Sequence, residues 1–272
     1  MARISVVGGG RIGEALVAGL IEAGHAAGEL SVVEAAVERG AELRERFGVF
    51  VTAEVGEAAG GADVIVVAVK PGDVDAVVDD VAKAVMSDAA AVDREQLLVS
   101  LAAGVPTARL EARLPDGFPV VRVMPNTPML LGKGMSVLAA GSYARPNHLE
   151  QVRDLLSAVG KVVTVAESQM DAVTAVSGSG PAYFFLVVEA MVDAAVGLGL
   201  PRATASTLVV QTLLGSAEML ERTGESPADL RAAVTSPGGT TAAALRVLER
   251  DGVRSAFVEA LHAAARRSAE LG

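Results

Sequence analysis

The sequence predicts an α/β protein in two parts: a doubly wound parallel sheet over residues 1–165 and an all-helical domain over residues 166–272. Three observations predict it. Short apolar runs alternate with amphipathic runs up to about residue 165, the pattern of strands joined by crossover helices. Residues 62–69, ADVIVVAV, are apolar almost without alternation, as in a strand covered on both faces. After Ala166 the strand signals stop and long helical stretches follow.

In chain order, residues 3–7 form the first strand, and glycines lead into a helix over about 13–23. Residues 30–33 give the second strand and 38–47 the second helix. Strands at 62–69, 97–101 and 119–123 continue the series, and two later strands, 135–139 and 161–165, flank a helix over about 146–159. The second part reads as helices over 170–197, 202–222, 227–234 and 240–271.

Gly8-Gly9-Gly10-Arg11-Ile12-Gly13 fits G-x-G-x-x-G, directly after a strand and opening a helix. That context is what a Rossmann-type dinucleotide site requires: a tight turn, close approach of a pyrophosphate, and close packing of helix on sheet. Gly8, Gly10, Arg11, Ile12 and Gly13 are therefore candidate cofactor-binding residues. Glu34 ends the second strand and has two readings. It accepts from the adenosine ribose hydroxyls, which favours NADH, or it is an ordinary strand-end acid facing solvent. Arg11 and Arg39 are nearby cations able to offset it.

Two loops lie at the carboxyl ends of strands, the ligand-binding edge of an open parallel sheet. Lys70-Pro71 follows the apolar strand that ends in Ala68-Val69, and Met124-Pro125-Asn126-Thr127-Pro128 follows a later one. Lys70 and Asn126 carry polar atoms for a ligand there, while loop structuring alone is the rival reading. Two helix starts in the second part are rich in hydroxyls and glycines: Ser177-Gly178-Ser179-Gly180-Pro181 and Ser236-Pro237-Gly238-Gly239-Thr240-Thr241. The first amides of a helix lack partners and attract anions, and glycine lets a ligand come close. Capping by Thr240 or Thr241 is the alternative for the second of them.

Composition narrows the chemistry. A net charge of −10 over 272 residues disfavours nucleic acid or an anionic membrane as partner. The chain has no cysteine, which is compatible with a reducing cytoplasm, and its three histidines show no metal-ligand spacing, so no metal is expected. MARISVVGGG enters a glycine turn before any sufficient apolar core, so no export signal is expected. The longest uncharged run, 172–188, is broken by Gly178, Gly180 and Pro181 and followed by Glu189 and Asp193, a poor membrane span. The helix through Tyr183-Phe184-Phe185-Leu186-Val187-Val188 is apolar on nearly every face, and burial against a second subunit would satisfy it. No nucleophile–base pair is evident. Hydride transfer to a protonated imine needs none, only alignment, amides for a carboxylate and a hydroxyl near the nitrogen.

Taken together, Gly8-x-Gly10-x-x-Gly13, Ala68-Val69-Lys70-Pro71, Met124-Pro125-Asn126-Thr127-Pro128, Ser177 to Tyr183 and Ser236 to Thr241 closely resemble the pyrroline-5-carboxylate reductase family, in order and over the whole length. The resemblance implies reduction of 1-pyrroline-5-carboxylate to L-proline with NADPH or NADH, by an oxidoreductase acting on a CH–NH bond. It implies a Rossmann domain joined to a helical dimerisation domain, in a homodimer or a larger ring of dimers. The site would lie between the Rossmann domain of one subunit and the helical domain of its partner. Thr241 matches the threonine whose hydroxyl contacts the substrate nitrogen. Gly238, Gly239 and Thr240 match the turn that binds the carboxylate, and Ser179 matches a serine lining the pocket. Glu34 departs from the family, many of whose members carry small polar or basic residues there. β-Hydroxyacid dehydrogenases, the nearest rival, use a lysine in the second domain, and this chain has none after Lys161. A dinucleotide-sensing regulator would leave the second anion turn unexplained.

Overall fold

The structure is a computed structural model and describes residues 2–87 and 95–271. An eight-stranded sheet has the order β3-β2-β1-β4-β5-β6-β7-β8. The first five strands are β1 (Ile4–Val7), β2 (Leu30–Val33), β3 (Phe50–Thr52), β4 (Val64–Val67) and β5 (Leu97–Ser100). β6 (Val120–Met124), β7 (Gly134–Ala140) and β8 (Gly160–Thr164) complete the sheet. All neighbours pair in parallel except β6 and β7. The order runs outward from β1 through β2 to β3 and returns to β4 on the other side. That reversal opens a crevice at the carboxyl ends of β1 and β4.

Both faces of the sheet are covered, which is why its central strands carry almost no polar residues. On one face α1 (Arg11–Glu22), α2 (Val37–Phe47) and α6 (Pro146–Ser157) bury Leu16, Leu20, Leu43, Val152 and Leu156 against Val6, Val66 and Val99. On the other, α3 (Val55–Ala59), α4 (Val74–Ser87) and α5 (Thr107–Glu111) supply Ala58, Val74, Val78, Val81 and Leu110 against Ile65, Val67 and Leu98. Each of the Val, Leu and Ile side chains among them contributes about 1.5–3 kcal/mol when taken from water. The sequence pattern had not announced β3, which is three residues at a sheet edge, nor α3, α4 and α5.

The chain forms two compact units, residues 1–179 with 263–272, and residues 180–262. The second unit comprises α8 (Gly180–Gly197), α9 (Arg202–Thr223), α10 (Pro227–Ala233), α11 (Thr240–Arg250) and the first turns of α12 (Val253–Ala269). The expected single helix over 240–271 is two, because the chain turns at Asp251-Gly252, where Gly252 takes a φ of 77°. Inside this unit only a small core forms, of Val192, Ala205 and Val209 with Val188, Ala195 and Val196 around it. The end of α12 belongs to the first unit, where Ser268 Oγ donates to Asp171 Oδ1 at 2.7 Å, on α7 (Met170–Val173).

Candidate active site

The glycine turn assigns each of its three glycines a different job. Gly8 has a φ of 112°, and a Cβ there would stand 2.7 Å from the Ala68 carbonyl oxygen at the end of β4. A Cβ on Gly13 would lie 2.0 Å from the Gly8 oxygen. Both positions are closed to any side chain. Around Gly10 nothing lies within 4 Å of the place a Cβ would take. Gly10 is the cap of α1 and receives no side-chain hydrogen bond. Among the described residues the amides of Gly10, Arg11, Ile12 and Gly13 find no backbone acceptor, since the first bond of the helix is Glu14 N to Gly10 O. A tight turn, a close-packed helix and an open middle with free amides are the features a pyrophosphate cradle requires.

Glu34, just after β2, is half-buried. Its Oε2 accepts from the Gly9 amide at 3.1 Å and its Oε1 from the Ala36 amide at 2.9 Å. Arg39, read from the sequence as a cation able to offset Glu34, is committed elsewhere. Its Nε donates to the Gly9 oxygen at 3.0 Å, one terminal nitrogen to Glu42 at 2.6 Å and the other to Glu14, which also pairs with Arg46. Glu42 first, then Glu14, stabilise the charged guanidinium and hold its pKa above the ordinary value. Arg11 is exposed at the first position of α1.

On the other side of the crevice, Ala68 and Val69 leave β4, and Lys70 caps a short turn in which Pro71 takes the first position. Lys70 is exposed at this strand edge. Asn126 was read either as offering polar atoms to a ligand or as structuring its loop, and it makes two bonds within the protein. Its Oδ1 accepts from the Met135 amide at 2.8 Å and its Nδ2 donates to the Ser177 carbonyl at 3.1 Å. It braces the protein, and one N–H and one lone pair of Oδ1 remain for a ligand.

The carbonyl it holds belongs to an irregular stretch. Residues 174–178 form a π turn, and Ser179 N reaches back five residues to Thr174 O at 2.8 Å. Thr174 and Ser177 hydroxyls donate to the carbonyls of Met170 and Val173, four residues earlier, contacts that bend helices. The Ser177–Pro181 segment is therefore not the free helix start read from the sequence: Ser179 already has helical dihedrals and its amide is used. Single π turns inside helices are frequent at functional sites. Sequence reading missed a second brace nearby. Arg122 on β6 is only 7% exposed and pairs with Glu167 at 3.3 Å, while Glu167 also accepts from the amide and hydroxyl of Thr107. Its signal was a lone arginine inside an otherwise apolar strand.

In the second unit, α11 begins as expected at Thr240. Gly238 has a φ of 70°, and Gly239 caps the helix in extended conformation. No side chain caps it, so neither Thr240 nor Thr241 acts as the cap. The Gly239 amide closes the turn onto the Ser236 carbonyl at 3.0 Å. The donors left without a backbone acceptor are the amides of Gly238, Thr240, Thr241 and Ala242. Thr241 is half-buried and Thr240 exposed. Among the described residues, no group of three or more His, Cys, Asp or Glu is placed to hold a metal.

α8 is the most apolar surface element: of its 18 residues only Gly180 and Val192 are buried. Phe184 and Phe185 are 58% and 68% exposed, and Leu186 and Met191 join them. Among the described residues, the helix Glu167–Gly197 is long and apolar enough to cross a membrane by length and composition.

Comparison with known proteins places these features in a family. The family described as pyrroline-5-carboxylate reductase dimerisation matches residues 167–271, and that described as NADP oxidoreductase, coenzyme F420-dependent, matches residues 3–104. A pyrroline-5-carboxylate reductase of Corynebacterium melassecola is 50% identical over 272 residues, covering 100% of this chain and 99% of that protein. The solved pyrroline-5-carboxylate reductase of Coxiella burnetii superposes with a TM-score of 0.92 at 37% identity, over 100% of this chain and 98% of that one. The Plasmodium falciparum pyrroline carboxylate reductase, solved with NADP bound, gives 0.87 at 29% identity, over 100% and 98%. With two-thirds or more of its length matched at such identity, the chain belongs to the pyrroline-5-carboxylate reductase family, oxidoreductases that join a Rossmann-type domain to a helical dimerisation domain.

Proposed function

We propose that the protein reduces the C=N bond of 1-pyrroline-5-carboxylate to L-proline, as an oxidoreductase acting on a CH–NH bond. The observation that carries this is one chain bearing two anion cradles of different kinds: the glycine turn at Gly8–Gly13 and the uncapped start of α11. The residues around the β1–β4 crevice fit a dinucleotide, with Gly8, Gly10, Arg11, Ile12, Gly13 and Glu34 on one side. Ala68, Val69, Lys70 and Pro71 lie on the other, and Asn126 holds the neighbouring loop. A bound nicotinamide supplies the hydride.

The chain's own residues do the rest. Amides of Gly238, Thr240 and Thr241 hold the substrate carboxylate, assisted by the positive end of α11. The Thr241 hydroxyl meets the ring nitrogen, which carries its proton already, so no general acid is required. Ser179, which follows the π turn, is the further substrate-binding residue that the family resemblance implies. Gly239 serves by closing the turn. Such a site works chiefly by orientation, which is worth several kcal/mol of barrier.

The exposed face of α8 supports a dimer, in which the cofactor edge of one subunit meets the α11 turn of the other. A ring of dimers, a cytoplasmic location, and the absence of nucleic-acid or membrane association belong to the same reading. Glu189 and Asp193 on α8 favour a protein partner over a bilayer for this helix. Residues 1–165 and 166–272 are the functional domains, and the family match beginning at residue 167 supports that boundary.

The test is direct: reduced nicotinamide is mixed with the protein and 1-pyrroline-5-carboxylate, and proline is identified chromatographically. Oxidation of the dinucleotide with stoichiometric proline is expected. No turnover with either NADH or NADPH would overturn the proposal.

A further inference from the structure

The carboxylate of Glu34 is fixed at the end of β2 by the amides of Gly9 and Ala36, one on each oxygen. Each oxygen retains capacity for a second donor. The two hydroxyls of an unmodified ribose are such donors. A 2′-phosphate has none to give at neutral pH and carries charge of the same sign, so it meets repulsion. Sites that take a 2′-phosphate answer it with an arginine. Here Arg39 is in the right neighbourhood, yet all three of its nitrogens are engaged, by the Gly9 oxygen, Glu42 and Glu14. Glu14 is itself shared with Arg46, which fastens the network further. Turning Arg39 to a phosphate means breaking contacts with two carboxylates.

We propose that the adenosine end of this site is built for NADH and discriminates against NADPH. Glu34 is the specificity-determining residue, and the Glu14–Arg39–Glu42 network withholds Arg39, leaving the exposed Arg11 as the other cation on this side. The inference rests on the reductase reading above and deepens it, since it names the form of dinucleotide. It also separates this chain from the relative solved with NADP bound.

Calorimetric titration of the full-length protein with NADH and NADPH measures the preference without turnover, and kcat/KM with each measures it again. The expected result is a Kd for NADH lower than that for NADPH by about tenfold or more. Glu34→Ser is expected to narrow that ratio by tightening NADPH. Glu14→Gln is expected to do the same by releasing Arg39, and it leaves the Glu34 contacts in place. Equal wild-type affinities, or ratios unmoved in both variants, would overturn the inference and leave the reductase standing. Failure of both dinucleotides to bind would overturn the reductase reading and this inference with it.

Discussion

Asn126 and Ser177, 51 residues apart in sequence, are joined by a hydrogen bond of 3.1 Å from the side-chain amide of one to the backbone carbonyl of the other. The bond ties the loop after β6 to the π turn that precedes Ser179. Asn126→Ala leaves the Ser177 carbonyl and the Met135 amide unpaired, at a cost of about 1–3 kcal/mol. A lowered melting temperature is expected together with a fall in kcat/KM for the imine, because Ser179 loses its positioning. Unchanged values of both would show that the brace is dispensable.

Thr241→Val tests the α11 turn. The hydroxyl caps nothing, so its loss should leave the melting temperature nearly unchanged. Loss of a hydrogen bond made in the transition state, about 1–3 kcal/mol, lowers kcat/KM roughly 5- to 150-fold. Full activity in the valine variant would remove Thr241 from the reaction.

The glycine turn offers a pair of alanine substitutions with opposite signatures. Gly13→Ala drives a methyl into the Gly8 carbonyl 2.0 Å away and is expected to lower stability and dinucleotide affinity together. Gly10→Ala has open space around its methyl, so a normal melting temperature with dinucleotide binding weakened about tenfold is expected. Thermal denaturation and calorimetry read the two effects separately. Normal dinucleotide binding in Gly10→Ala would mean that the pyrophosphate lies elsewhere.

These contrasts show where the sequence was readable. The strands of the first unit were legible because burial on both faces leaves long apolar words such as VIVV, and the glycine turn because its spacing is a backbone requirement. α4 was legible in principle, since Val74, Val78, Val81 and Ala82 recur at helical spacing and are all buried. β3 was not: three residues at an edge carry no period. The start of α11 was read correctly from Pro237-Gly238-Gly239, yet the choice between cap and anion site was not in the letters, because threonine suits both. The bonds from Arg39 to Gly9 and from Asn126 to Ser177 join residues 30 and 51 apart in sequence. No local pattern records those.

Phe185→Glu probes the surface of α8. Phe185 is 68% exposed within the single chain, so the charge costs the isolated subunit little, whereas burying it in a dimer is expensive. Sedimentation is expected to show dimer or larger for the wild type and monomer, or insoluble protein, for the variant. A well-folded wild-type monomer at micromolar concentration would overturn the dimer.

The sparse interior of residues 180–262 has a thermodynamic consequence. A helix with 2 of 18 residues buried draws its stability from whatever covers it, which in the proposed dimer is a second copy of the chain. Folding and association are then a single equilibrium of second order in protein, so the midpoint of unfolding rises with the logarithm of concentration. Dilution acts on this fold as a mild denaturant. The amount of chain a cell makes sets how much of each molecule is folded, and a substitution on α8 changes abundance before it changes chemistry.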